Sequence, residues 1–112
     1  MIRYGGRLFR SVTSSETSQT DTNTIFKYEQ VDDLVTATYS GGHIRYGHLI
    51  GRLDEAGVLD MRYHHIDRDG QLMTGVCITT PELLPSGQLR LHESWQWTCG
   101  NESKGTSILE EI

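Results

Sequence analysis

What most constrains the fold of this chain is a rhythm of short alternating segments set off by turn signals. The signals are Gln30-Val31-Asp32-Asp33, Gly41-Gly42, Asp54-Glu55-Ala56-Gly57, Asp67-Arg68-Asp69-Gly70, Pro85-Ser86-Gly87 and Gly100-Asn101. Asp and Asn side chains bond their own backbone in turns, and Gly supplies positive φ, so each cluster reverses the chain for a physical reason. The intervals predict strands over 24–30, 34–40, 43–53, 58–66, 71–80, 88–98 and 105–112, after a first strand over 8–12. About eight antiparallel strands in succession form an up-and-down meander, and at that number a meander closes into a barrel and removes its own exposed edges. No segment carries a 3.6-residue period, and the β-branched, Ser/Thr and Gly content opposes long helices. The fold class is therefore all-β. A single helical turn is compatible only with the polar stretch 13–23 or with Pro81-Glu82-Leu83-Leu84.

Length limits this architecture to one domain over 1–112, with room for a modest core and no second domain. The polar stretch Thr13-Ser-Ser-Glu-Thr-Ser-Gln-Thr-Asp-Thr-Asn23 has no large apolar side chain and reads as an exposed loop. Ten Lys and Arg stand against fifteen Asp and Glu, for a net charge of -5, with no basic run to neutralise phosphates. Nucleic acid and anionic membrane are not expected partners. No apolar run has the length of a bilayer span and the N-terminus lacks the apolar core of a signal peptide, so a cytoplasmic location is expected. Cys77 and Cys99 then read as free thiols, and two cysteines alone do not make a zinc site.

Turn length sets register, and register sets which side chains share a face. With Gly41-Gly42 as a two-residue loop, Tyr39 opposes Ile44, Ala37 opposes Tyr46 and Val35 opposes His48. If the next turn pairs Leu53 with Val58, His48 opposes Tyr63 and Ile50 opposes Met61. The turn after it then sets Met61 beside Val76, Tyr63 beside Thr74 and His65 beside Leu72. One face collects Phe26, Tyr28, Val35, Ala37, Tyr39, Ile44, Tyr46, His48, Ile50, Leu59, Met61, Tyr63, His65, Leu72, Thr74, Val76 and Ile78, and it is the expected interior. Leu49, Leu53 and Met73 fall on the wetter face, where they suggest a small apolar patch suited to a homodimer. In the strand 88–98, amphipathicity rather than turn length turns Leu89, Leu91, Glu93, Trp95 and Trp97 inward.

Glu93 is the most informative residue, a carboxylate between Leu91 and Trp95 on an otherwise apolar face. Burial without a partner costs several kcal/mol or raises the pKa of such a group. In the register above it shares a rung with Thr74, Tyr63 and His48. It reads either as a core acid bonded to Tyr63 or His48, or as a ligand-binding or acid/base group. Tyr39, Tyr46, His48, Tyr63, His65, Glu93, Trp95 and Trp97 form the candidate ligand set, because aromatic bodies with polar tips suit a small-molecule chamber. Neighbouring strand residues His64 and His65 face opposite ways and do not chelate together. No spaced histidine motif supports a metal, and no nucleophile elbow, phosphate loop or dinucleotide fingerprint is present, so neither metal nor cofactor is expected.

The runs Thr38-Tyr39-Ser40-Gly41-Gly42, Gly47-His48-Leu49-Ile50-Gly51, Asp60-Met61-Arg62-Tyr63-His64 and Leu91-His92-Glu93-Ser94-Trp95-Gln96-Trp97 resemble those of a family of short bacterial proteins of unknown role. The resemblance extends over nearly the whole chain, and some members of that family carry the label N-acetylglutamate synthase. Acetyltransferases of that activity hold acetyl-CoA pyrophosphate on an Arg/Gln-x-x-Gly-x-Gly/Ala turn that opens a helix, and this sequence has neither the motif nor the helix. The meander also resembles the calycin group of barrels, lipocalins and fatty-acid-binding proteins among them, which implies a ligand inside the barrel. The leading expectation is thus a cytoplasmic barrel binding a small, partly apolar molecule. A self-associating protein with a filled core comes next, and after it a lyase or isomerase using Glu93 as acid or base.

Overall fold

The computed structural model describes residues 2–112. The strands are β1 (Leu8–Ser14), β2 (Ile25–Val31), β3 (Leu34–Gly41), β4 (Ile44–Leu53), β5 (Leu59–Asp67), β6 (Leu72–Leu83), β7 (Leu89–Trp97) and β8 (Lys104–Glu111). Each pairs antiparallel with the next, and β8 returns to pair with β1, closing the barrel. The closed, all-β antiparallel barrel expected from the turn rhythm is the fold observed. Among the described residues there is no helix. The stretch near Pro81, compatible by sequence with a helical turn, instead continues β6, where Pro81 pairs with Leu91.

Three hairpins are built alike. Asp54 N–H donates to Val58 O, Asp67 N–H to Gln71 O and Leu84 N–H to Gln88 O. Each encloses three residues, the last of them Gly57, Gly70 or Gly87 at φ +86°, +82° and +88°. A type I turn followed by a left-handed residue is a preferred hairpin geometry, and glycine takes that backbone without strain. In two of the three, the leading aspartate secures the turn: Asp54 Oδ1 accepts from the N–H groups of Ala56 and Val58, and Asp67 Oδ1 from those of Asp69 and Gln71.

These odd-length loops, with one bulge, correct the expected faces. Leu53 pairs with Leu59 rather than Val58, and Met61 with Cys77 rather than Val76. At the start of β4 the register shifts between Ile44 and Tyr46, so Tyr39 pairs with Gly47. Arg45 and Tyr46 consequently both face out, and the inward positions of β4 become Gly47, Leu49, Gly51 and Leu53. Tyr46, His48 and Ile50, expected inside, lie on the outer face. A bulge flips every side chain beyond it, and the sequence pattern hides it because both faces of β4 carry apolar residues. The one-residue shift at the next turn restores the expected inward set of β5, namely Leu59, Met61, Tyr63 and His65. The following turn then flips β6. Leu72, Thr74, Val76 and Ile78 therefore face outward, while Gly75, Cys77 and Thr79 face in. Leu49 and Leu53 are buried and Met73 packs on the core, so the dimer patch expected from these three residues does not exist.

The two ends of the barrel differ. At the end holding the 54–57 turn, the N-terminal segment acts as a plug: Tyr4 is fully buried, and its hydroxyl donates to Gly57 O at 2.9 Å. Phe9, Tyr28, Val35, Leu59, Leu91 and Leu109, at 0% exposure, pack the interior and form the solid part of the core. Burying each such side chain contributes about 1.5–3 kcal/mol. At the opposite end the segment 15–24 between β1 and β2 crosses the opening, and there the interior is not filled.

Candidate functional site

A cavity of about 50 Å³ opens inside the barrel at the end crossed by the 15–24 segment. Its walls are Phe26 (β2), Tyr39 (β3), Leu49 (β4), Met61, Tyr63 and His65 (β5), Cys77 (β6), Glu93, Trp95 and Trp97 (β7) and Ser107 (β8), with Ser18, Gln19 and Thr20 above. At roughly 10–15 Å³ per water, this is space for a few water molecules or a compact organic group.

Three glycines let the cavity exist. Tyr39 pairs with Gly47, Tyr63 with Gly75 and Trp95 with Gly105, so each ring lies over a glycine on the next strand. A Cβ at any of these glycines would overlap the ring above it. With no side chain beneath, the rings lie against the wall instead of filling the centre. They also brace one another. Ring centroids are 4.8 Å apart for Phe26 and Tyr39, 5.7 Å for Tyr63 and Trp97, and 5.5 Å for Trp95 and Trp97. The Trp95 indole N–H donates to Ser107 Oγ at 2.8 Å, which fixes its ring.

Glu93 is the one carboxylate on the cavity wall. Its hydrogen bond among the described residues is a long one, 3.5 Å from the Thr79 hydroxyl to Oε2. Burial pushes its carboxyl up to about 8, and the Thr79 bond offsets this only in part. The half-buried side chain of Glu93 therefore holds its proton at neutral pH although it borders the cavity. The Tyr28 hydroxyl is a fully buried polar atom with no hydrogen-bond partner among the described residues. Burial, and then the nearby Glu93, raise its proton affinity well above that of an ordinary tyrosine. Neither His48 nor Thr74 shares this neighbourhood. His48 stacks on His64 outside the barrel, and Thr74 bonds Thr98 there.

The mouth is tied by a polar chain. Tyr39 Oη lies 3.0 Å from His65 Nδ1, His65 Nε2 lies 2.7 Å from Gln19 Oε1, and Gln19 Nε2 donates to Asp67 Oδ2 at 3.0 Å. Since the Gln19 oxygen only accepts, His65 carries its proton on Nε2 and Nδ1 accepts from the tyrosine. Burial lowers the His65 pKa to about 4, the Asp67 charge offsetting only part of the effect, so the ring is neutral at pH 7. Asp67 is itself buried. Desolvation works to raise its pKa, but the N–H groups of Gln71 and Asp69 and the Gln19 amide hold it below the usual carboxylate value. A second tie is the Trp97 indole N–H donating to Thr17 O at 3.0 Å.

Of the residues expected to meet a ligand, Tyr39, Tyr63, His65, Glu93, Trp95 and Trp97 line the cavity, and Tyr46 and His48 do not. Sequence reasoning missed Ser18, Gln19 and Thr20. Their polarity marks an exposed loop, and nothing local tells that a histidine and a tryptophan inside the barrel bond to it. The glycines were the available signal, since Gly47, Gly75 and Gly105 sit within strands, where glycine is otherwise unfavourable.

The family model described as avidin-like protein matches residues 2–112. The chain belongs to the avidin-like family. No curated protein and no solved structure is significantly similar to it. For this avidin-like chain the match covers every described strand.

Proposed function

We propose that this avidin-like barrel is a binding protein for a small, partly apolar molecule held in the cavity between Glu93 and the 15–24 segment. The observation that carries the reading is an unfilled chamber that the glycines beneath Tyr39, Tyr63 and Trp95 keep open, with an under-bonded carboxyl on its wall. A protein selected only for stability would fill that space, because a void forfeits packing and a buried acid without partners is costly. Family membership supports the same class of ligand, small and biotin-like. A ligand of a few heavy atoms fits the closed cavity, whereas sites for drug-sized molecules run to about 300 Å³ or more. Larger ring systems would require the Gln19 contacts to open. Both tryptophans of the chain line the cavity, so intrinsic fluorescence reports directly on it. Titration with a panel of compact amines, alcohols, amides and biotin is expected to give a saturable change. A flat response to every member would refute the reading.

A second reading has its own observation. Tyr46, Ile50, Leu72 and Ile78 are large apolar side chains exposed on the outer face of β4 and β6, which favours self-association into a homodimer. Light scattering that returned a monomer at high concentration would exclude it. The thiols of Cys77 and Cys99 are unpaired, which favours a reducing compartment such as the cytoplasm.

A further inference from the structure

The cavity pairs a single acidic group with a wall of aromatic rings and, among the described residues, contains no basic partner. Among the described residues Glu93 receives one hydrogen bond, from Thr79 at 3.5 Å. None of the ten Lys and Arg side chains is buried, and none lines the cavity. The remaining titratable groups facing this space are Tyr39 from β3, Tyr63 and His65 from β5 and Cys77 from β6, with Tyr28 and Tyr4 near enough to sense the Glu93 charge. Leu49 from β4 and Ser107 from β8 do not titrate. His65 stays neutral above a pKa of about 4, so it supplies no positive charge near neutrality. The chain thus carries an acid whose ionised form has no counter-charge among the described residues, so it keeps its proton near neutrality.

The surrounding rings suit one kind of counter-charge. Tyr63 stands edge-on to Trp97 at 5.7 Å, and Trp97 lies 5.5 Å from Trp95, so several π-systems border the same small space. Aromatic faces attract cations most strongly where water is excluded, and they prefer diffuse, alkylated charges to strongly hydrated ones. An anion would gain nothing from the ring faces and, once Glu93 ionises, would be repelled by it. A purely apolar guest would leave the Glu93 carboxyl no better bonded than before.

We propose that the cavity selects a small organic cation, an alkylated ammonium group whose charge Glu93 meets and whose methyl groups Tyr63, Trp95 and Trp97 enclose. This rests on the binding reading above and specifies the class of ligand. Binding such a cation ionises Glu93 and releases its proton to solvent, so affinity follows the fraction of Glu93 that is already ionised.

The test compares tetramethylammonium with tert-butanol, a neutral probe of equal heavy-atom count, by tryptophan fluorescence on the whole chain. Tetramethylammonium does not titrate, so any pH dependence belongs to the protein. Its affinity should rise about tenfold from pH 6 to 7, continue upward to about pH 8 and then level, following the Glu93 titration. The affinity of tert-butanol should stay flat. Glu93→Gln should weaken tetramethylammonium at pH 8 by about tenfold or more and abolish the rise of its affinity with pH. If tert-butanol binds as tightly as the cation, if the wild-type pH profile is flat, or if the variant still holds the cation, the cation assignment is overturned and small-molecule binding stands. If neither probe nor any panel member binds, both readings fall. The wild-type pH profile decides the matter even if the variant folds poorly.

Discussion

Replacing Glu93 with glutamine should change how stability depends on pH more than it changes stability at any one pH. In the folded chain burial raises the Glu93 pKa from 4.5 to about 8. In the unfolded chain it returns to its ordinary value. Between these two values the folded state keeps a proton that the unfolded state has released, so folding loses stability as pH rises through that window. Below it, both states are protonated and the loss vanishes. At about 1.4 kcal/mol per unit, the full shift corresponds to roughly 5 kcal/mol. Glu93 is only half-buried, so solvent screens part of this, and about 2–4 kcal/mol is the expected magnitude. A domain of this size has about 5–15 kcal/mol in total, so the effect is large enough to measure. Glutamine mimics the neutral acid and does not titrate. Urea unfolding of both proteins at intervals from pH 4.5 to 9 should therefore give nearly equal stabilities at the acid end. The variant should gain steadily up to about pH 8 and hold its lead above that. Parallel curves across the range would show that Glu93 is ionised in the folded state, and the description of the site would be wrong.

The other expectations concern the mouth, the wall and the corrected register. His65→Phe should remove the acid-side slope, because a histidine held neutral to about pH 4 costs stability as pH falls below 6.5; urea midpoints at pH 5 and 7 measure it. The same change leaves the Tyr39 hydroxyl only its 3.4 Å contact with His64 O and the Gln19 oxygen without its partner, lowering stability at pH 7 by about 1–3 kcal/mol. Gly75→Ala should force the Tyr63 ring into the cavity, lowering stability by about 1–3 kcal/mol and abolishing the fluorescence response to small ligands. Leu109→Ala, deep in the filled part of the barrel, should cost about 2–5 kcal/mol in thermal or urea unfolding. His48→Ala should leave both stability and ligand titration nearly unchanged, within about 0.5 kcal/mol, because its side chain lies outside.

The sequence determined the barrel. Alternation between turn clusters limits each segment to strand, and six short turns leave consecutive strands little choice but to pair antiparallel until the last meets the first. It also determined the inward face of β7, including Glu93, Trp95 and Trp97, because that strand is amphipathic by itself. The faces of β4 and β6 were decided elsewhere. Whether a hairpin loop encloses two residues or three, and whether Arg45 and Tyr46 form a bulge, depends on how each strand fits its neighbours. One residue of difference exchanges the two faces of everything beyond it. His48 and Tyr46 left the site for that reason, and Cys77, Thr79 and the glycines beneath the rings entered it. The mouth too belongs to tertiary structure alone: Gln19 is an ordinary loop residue until the barrel brings His65 and Asp67 to either end of its amide. Periodicity acts over neighbouring residues and is readable in one dimension. A cavity is what remains when eight strands have closed around it, and no local pattern records that remainder.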